Sequence, residues 1–149
     1  MKLVNKNIHY AIKSLLYFCR FPAKVISVSE LVNVLNMRRA FLRRILQALS
    51  KRRILKSLKG SGGGFIFNLK PQEIRIIDVI NIFRDHTDII GCLSEKDICP
   101  HPDHCLLMRN LKNIESQLNN TLSRLTIAEL FKSIDRRSKK SMTKGGPNK

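Results

Sequence analysis

The sequence has no tryptophan, two tyrosines and only 11 acidic residues among 149. Against those acids stand 28 Lys and Arg, a formal charge of +17 and a pI near 10.4. So large a deficit of negative charge argues against a cationic partner and for a polyanion, nucleic acid before membrane. No apolar run approaches the ~20 residues that span a bilayer, so no membrane partner is expected. Near the N-terminus Asn5, Asn7, His9 and Lys13 interrupt the apolar residues, which excludes a secretory signal. A cytoplasmic location is therefore expected, where a reducing thiol pool disfavours structural disulfides. There is no internal repeat, and the length suits one chain with a real core.

The few acids are unevenly placed. Between Leu31 and Gln72 there is none, against ten basic residues, and Arg136 to Lys149 adds six basic residues and no acid. Five acids (Asp85, Asp88, Glu95, Asp97 and Asp103) surround the cysteines near position 100. One part of the chain is made to meet phosphates, and another is not.

Helical spacing of Ile8, Ala11, Ile12, Leu15, Leu16, Phe18 and Cys19 predicts a first helix over residues 6–20, ended before Pro22. Cys19 lies on its apolar side and reads as a buried, inert thiol. Ser27 and Glu30 have capping-box spacing, opening a short helix over 28–35. After a turn at Asn36-Met37, a third helix over 38–51 buries Phe41, Leu42, Ile45, Leu46 and Leu49. Its other face carries Arg38, Arg39, Arg43 and Arg44. Two short helices, a tight turn and a basic second helix make a helix-turn-helix, and arginine is the commonest reader of guanine.

Two strands follow, 54–58 and 65–67, joined by Lys59-Gly60-Ser61-Gly62-Gly63-Gly64. Glycines permit positive φ and a close approach to a sugar–phosphate surface, so this hairpin reads as the wing of a winged helix. A Walker-type loop would need Lys-Ser/Thr opening a helix, and a dinucleotide fingerprint would need a βαβ unit; neither is present. The fold class is thus mainly α with a small β-hairpin wing. Another amphipathic helix is expected from Ile74 to Phe83.

From Gly91 to Leu106 the chain reads as a polar loop broken by Pro100 and Pro102. It holds Cys92, Cys99 and Cys105, with six and five residues between them. A polar loop has no packing reason to hold three thiols; zinc, copper(I) and iron–sulfur clusters all take thiolates. Beyond it Leu107, Leu111, Ile114, Leu118, Leu122 and Leu125 recur at steps of three and four, predicting a long helix. That stripe has no partner left in so short a chain, which points to a homodimer. Thr126 is expected to cap a last short helix over 127–133, followed by a disordered basic tail. The expected division is 1–84 for DNA binding, 85–134 for the cysteine loop and dimerisation helix, and 135–149 for the tail.

These features occur in a particular order: Met1-Lys2-Leu3, Tyr10-Ala11, the helix-turn-helix, the Lys59–Phe65 wing, three cysteines near position 100, and Thr126-Ile127-x-Glu129-Leu130. In that order they resemble the Rrf-two family of bacterial winged-helix regulators, of the IscR/NsrR type, over residues 1–134. The resemblance implies a homodimeric transcription factor on a palindromic double-stranded operator. It implies an iron–sulfur cluster on Cys92, Cys99 and Cys105, with 2Fe–2S ahead of 4Fe–4S, and leaves Cys19 out. IscR-like members carry a histidine three residues past the third cysteine, where this chain has Met108. NsrR-like members take an acid early in the first helix, where this chain has His9, an imidazole that iron accepts. His101 and His104 are further donors inside the loop. The DNA contacts carry over to Arg38, Arg39, Phe41, Arg43 and Arg44, and at the wing to Lys59, Ser61 and Gly62. Arg43 stands where IscR-like members can have an acid, so a different operator, with guanine at a contacted position, is expected.

The function expected is a cluster-dependent transcriptional regulator, acting as a repressor and answering to cluster state, iron, nitric oxide or redox stress. The alternative is a zinc-binding or thiol-redox winged helix without a cluster. No paired base or catalytic set of acids accompanies any serine or cysteine, so no enzyme is expected.

Overall fold

In the computed structural model, which describes residues 4–84 and 106–142 (side chains as far as Arg136), Asn5 starts the first helix. Its Oδ1 accepts from the Ile8 amide at 2.9 Å, satisfying one of the donors that a helix start leaves open. Helix α1 (Lys6–Arg20) buries Ile8, Ala11, Leu15 and Phe18 and ends at Phe21, before Pro22. Helix α2 (Val28–Leu35) is capped by the Ser27 hydroxyl, which accepts from the Glu30 amide at 3.1 Å. The expected return half of that capping box is not made. The Glu30 carboxylate instead accepts from the Tyr17 hydroxyl and the Lys24 ammonium, both at 2.8 Å. The Lys24 ammonium adds a full opposite charge to its hydrogen bond, which a neutral backbone amide cannot. The Lys24 and Tyr17 hydrogen bonds hold Glu30 below the usual carboxylate range, and the bond to Glu30 raises Tyr17.

Asn36, at φ 49°, turns the chain into helix α3 (Arg39–Lys51). Arg38 is the N-cap rather than the first helical residue, and its side chain makes no capping bond. Strands β1 (Leu55–Leu58) and β2 (Gly64–Phe67) pair antiparallel, with Leu55 opposite Phe67 and Leu58 opposite Gly64. Ile54 stands outside the strand because its carbonyl accepts from Asn68 and Leu69. The sheet gains a third contact where Ile26 and Phe65 exchange amide bonds, both 2.9 Å. Two glycines shape this wing by close approach. A Cβ on Gly64 would lie 2.4 Å from the Ile26 oxygen, and one on Gly63 would lie 2.5 Å from the Leu58 oxygen.

Helix α4 (Ile76–Phe83) is shorter than its apolar pattern. Ile74 is buried outside it, and its carbonyl accepts from the Ile127 amide at 2.9 Å while Leu125 accepts from Ile76 at 2.8 Å. This bridge clips the bend between α5 (Leu106–Arg124) and α6 (Ile127–Met142) to the start of α4. Thr126 and Glu129 complete a true capping box: the Glu129 carboxylate accepts from the Thr126 amide at 2.9 Å, and Thr126 Oγ1 from the Glu129 amide at 3.2 Å. The last helix does not stop at Ser133. It continues to Met142 through a stretch rich in Lys and Arg, which are good helix formers whatever their lack of apolar periodicity.

One core serves these elements. Leu15, Phe18, Ile26, Leu31, Leu42, Leu46, Leu49, Ile74, Val79 and Ile127 are all fully buried in a single cluster, with Leu122 and Leu130 packed on its edge. Burying such a side chain is worth about 1.5–3 kcal/mol. Helix α6 packs directly on α1, so the C-terminal half closes the winged helix rather than forming a core apart. Cys19, half-buried against this cluster, has its thiol pushed up to about 11 by burial. At pH 8 only about one such thiol in a thousand is thiolate, and the thiolate is the reactive form. Iodoacetamide at that pH is therefore expected to spare Cys19 in the folded protein and modify it once urea unfolds the chain, as read by peptide mass mapping. Rapid native labelling of Cys19 would show a reactive thiol instead.

Candidate nucleic-acid interface

Helix α3 follows its own arithmetic. Leu42, Ile45, Leu46 and Leu49 point into the core. At ~100° per residue, Ala40, Arg44, Gln47 and Lys51 then lie within about 30° of the opposite direction, and Arg43 about 70° to one side. All five are exposed, as are Arg38 and Arg39 at the helix start. No acid lies on the helix, so nothing in it offsets the attraction of phosphates. Charge alone singles out the arginines; Ala40 and Gln47 emerge only when the wheel is anchored on the buried leucines. Gln47 is suited to bidentate pairing with adenine.

Phe41 is placed differently from the other expected DNA contacts. It is half-buried against the core, edge-on to the Tyr10 ring at 6.0 Å, with the Lys6 ammonium 5.9 Å from its ring centre. A side chain so occupied fixes where α3 starts relative to α1.

At the wing, Lys59, Ser61 and Gly62 are exposed. Gly60 (φ 99°) and Gly62 (φ 76°) have the left-handed backbone that makes this tip, closed by a bond from the Gly63 amide to the Gly60 carbonyl at 3.0 Å. Nothing lies within 4 Å of a Cβ built on either, so the tip is open to a groove. Helix α3 packs on β1, which joins the basic helix and the wing in one rigid piece.

Cys92, Cys99 and Cys105 lie outside the described residues, as do His101 and His104. The flanks of that segment are described. On one side the Phe83 carbonyl accepts from Asn5 Nδ2 at 2.8 Å, and Arg84 pairs with Glu115 of α5 at 3.4 Å. On the other, Leu106 starts α5 directly after Cys105. His9 is exposed one turn along α1 from Asn5, edge-on to Tyr10 at 5.3 Å. Met108 is buried, so its thioether is spent on packing. No group of three His, Cys, Asp or Glu side chains gathers among the described residues. Nor is any described helix long and apolar enough to cross a membrane.

A family model described as Rrf2, iron-dependent transcriptional regulator, matches residues 4–133. The chain belongs to this family. It is a bacterial-type, DNA-binding transcriptional regulator and not an enzyme. An HTH-type transcriptional regulator of Aquifex aeolicus is 28% identical over 131 residues, covering 87% of this chain and 91% of that one. The regulator IscR of Aliivibrio salmonicida is 26% identical over 135 residues, covering 88% and 77%. The solved structure of IscR from T. potens superposes with a TM-score of 0.69 over 88% of this chain and 87% of that one, at 17% identity. That likeness shows the winged-helix fold, in which the hairpin described above is the wing.

Proposed function

We propose that this Rrf2-family chain is a homodimeric regulator whose affinity for a palindromic operator depends on an iron–sulfur cluster held by Cys92, Cys99 and Cys105. The observation that carries the reading is three thiols placed within 14 residues of a polar segment in a chain of this family. Soft thiolates with an imidazole are a donor set that iron–sulfur clusters take. Among the described residues His9 is an exposed imidazole one turn along α1 from Asn5, which bonds the Phe83 carbonyl at the segment's root. When bound, the group supplies iron–sulfur bonds that nitric oxide, oxygen or iron scarcity breaks.

The chain's own residues do the rest. Asn5 and Glu115 hold the root of the cysteine segment to α1 and α5, the helices behind the recognition helix and along the open apolar stripe. On that stripe Leu107 and Ile114 are more than half exposed, with Leu111 and Leu118 half-buried beside them. A second copy covering the stripe would set the spacing of two recognition helices to about one turn of DNA. A change at the segment's root then alters that spacing, and with it affinity. Action as a repressor in the cytoplasm belongs to the same reading.

The test is the visible spectrum, with iron and sulfide assays, of protein purified without oxygen. Sulfur-to-iron bands with matching iron and sulfide are expected, and Cys99→Ser is expected to abolish them. Operator affinity is expected to differ between loaded and metal-free protein by about fivefold to 150-fold, the usual range of allosteric coupling. Colourless protein carrying one zinc per chain would establish the zinc-binding reading instead. Colourless, metal-free protein after reconstitution would leave bare redox thiols.

A further inference from the structure

Ala40 is the anomaly of the outward face. It stands in the first turn of α3, almost diametrically opposite the buried leucines, among Arg39, Arg43 and Arg44. It is exposed and takes no part in the core. The residue on the midline of the first turn is the one that comes nearest the floor of a major groove, because the N-terminal residues of a recognition helix meet the base edges. A long polar chain there would hold the helix off; a methyl group lets it in. It also carries no donor or acceptor, so it cannot hydrogen-bond any base edge. The one apolar group that a base pair shows in the major groove is the C5-methyl of thymine.

We infer that Ala40 is a specificity-determining residue that packs its methyl group against a thymine methyl in each operator half-site. The inference rests on the reading of α3 as the recognition helix and adds a base to what its arginines select. Arg44 lies one turn on along the same line, so the thymine is a close neighbour of the base that Arg44 faces. Ala40 thereby rejects cytosine at that position by leaving its amino group without an acceptor.

The experiment uses the full chain and an operator selected by it from a pool of random double-stranded DNA. Each thymine of the half-site is replaced in turn by deoxyuridine, which keeps every hydrogen bond and removes only the methyl. At one thymine per half-site the affinity is expected to fall by about fourfold, and by about fifteenfold with both half-sites replaced, the scale of one buried methyl group each. Ala40→Gly is expected to bind the thymine operator that much more weakly and to be indifferent to deyoxyuridine at that one position. Ala40→Gln, which keeps a strong helix former at the site, is expected to select a different base there in a fresh selection.

Silence of deoxyuridine at every thymine would overturn the inference. So would an unchanged deoxyuridine effect in Ala40→Gly, or an unchanged base in the Ala40→Gln selection. A pool that yields no preferred sequence would overturn the operator-binding reading itself, and this inference with it.

Discussion

Arg44→Ala is expected to weaken binding to the selected operator by at least about thirtyfold. Arg44 lies on the midline of the outward face of α3, exposed and without an acidic neighbour on the helix. A bidentate arginine–guanine contact is worth ~1–3 kcal/mol. A dimer presents two copies, so the loss is about 2–6 kcal/mol, and each 1.4 kcal/mol is tenfold in affinity. Binding to a scrambled duplex rests on phosphate contacts and should fall far less, so the gap between operator and scrambled DNA narrows. Fluorescence anisotropy at two salt concentrations measures both. Equal losses on the two duplexes, with a shallower salt dependence, would make Arg44 a phosphate clamp.

The second large effect lies in the wing. Gly64→Ala is expected to destabilise the protein by about 2–4 kcal/mol, the range of substitutions that force packed backbone apart. The new Cβ would sit 2.4 Å from the Ile26 oxygen and 2.8 Å from its carbonyl carbon, and neither is the end of a flexible chain. Relief requires β2 to move off Ile26, breaking the paired 2.9 Å bonds between Ile26 and Phe65. Those bonds tie the wing to the start of α2. For a chain of this size the melting temperature should drop by roughly 5–15 °C. Gly62→Ala is the informative contrast, since its Cβ meets nothing and only its φ of 76° is strained. That costs about 1–2 kcal/mol. Equal destabilisation by the two would mean that backbone conformation, not close approach, governs the hairpin.

The helices were legible in the sequence because their burial is periodic, and the hairpin because a glycine run separates two short apolar stretches. Ile8, Ala11, Leu15 and Phe18 in α1, and Leu42 through Leu49 in α3, mark their faces without help from the rest of the chain. What was not legible depends on partners distant in sequence. Glu30 has the spacing to reach back to its own cap, but Tyr17, 13 residues earlier, and Lys24 claim its carboxylate. Ile74 continues the apolar pattern of α4, yet its carbonyl is taken by Ile127, 53 residues on, and it stays outside the helix. Phe41 satisfies two descriptions at once, as a core residue and as a neighbour of basic contacts; only its packing on Tyr10 separates them. On the outward face of α3 the arginines announced themselves by charge, while Ala40 and Gln47 carry no charge to notice.

The bridge between Arg75 and Thr126, flanked by the bond from the Ile127 amide to the Ile74 carbonyl, has a consequence for how the two halves of the chain hold together. Ile127 fills the same core as α1 and α4, so the C-terminal half contributes to the interior of the winged helix. A chain cut after Arg84 would lose the Ile127 side chain from that core and the bond to the Ile74 carbonyl. The winged helix and the C-terminal helices, sharing one interior, are therefore expected to unfold together rather than as separate modules.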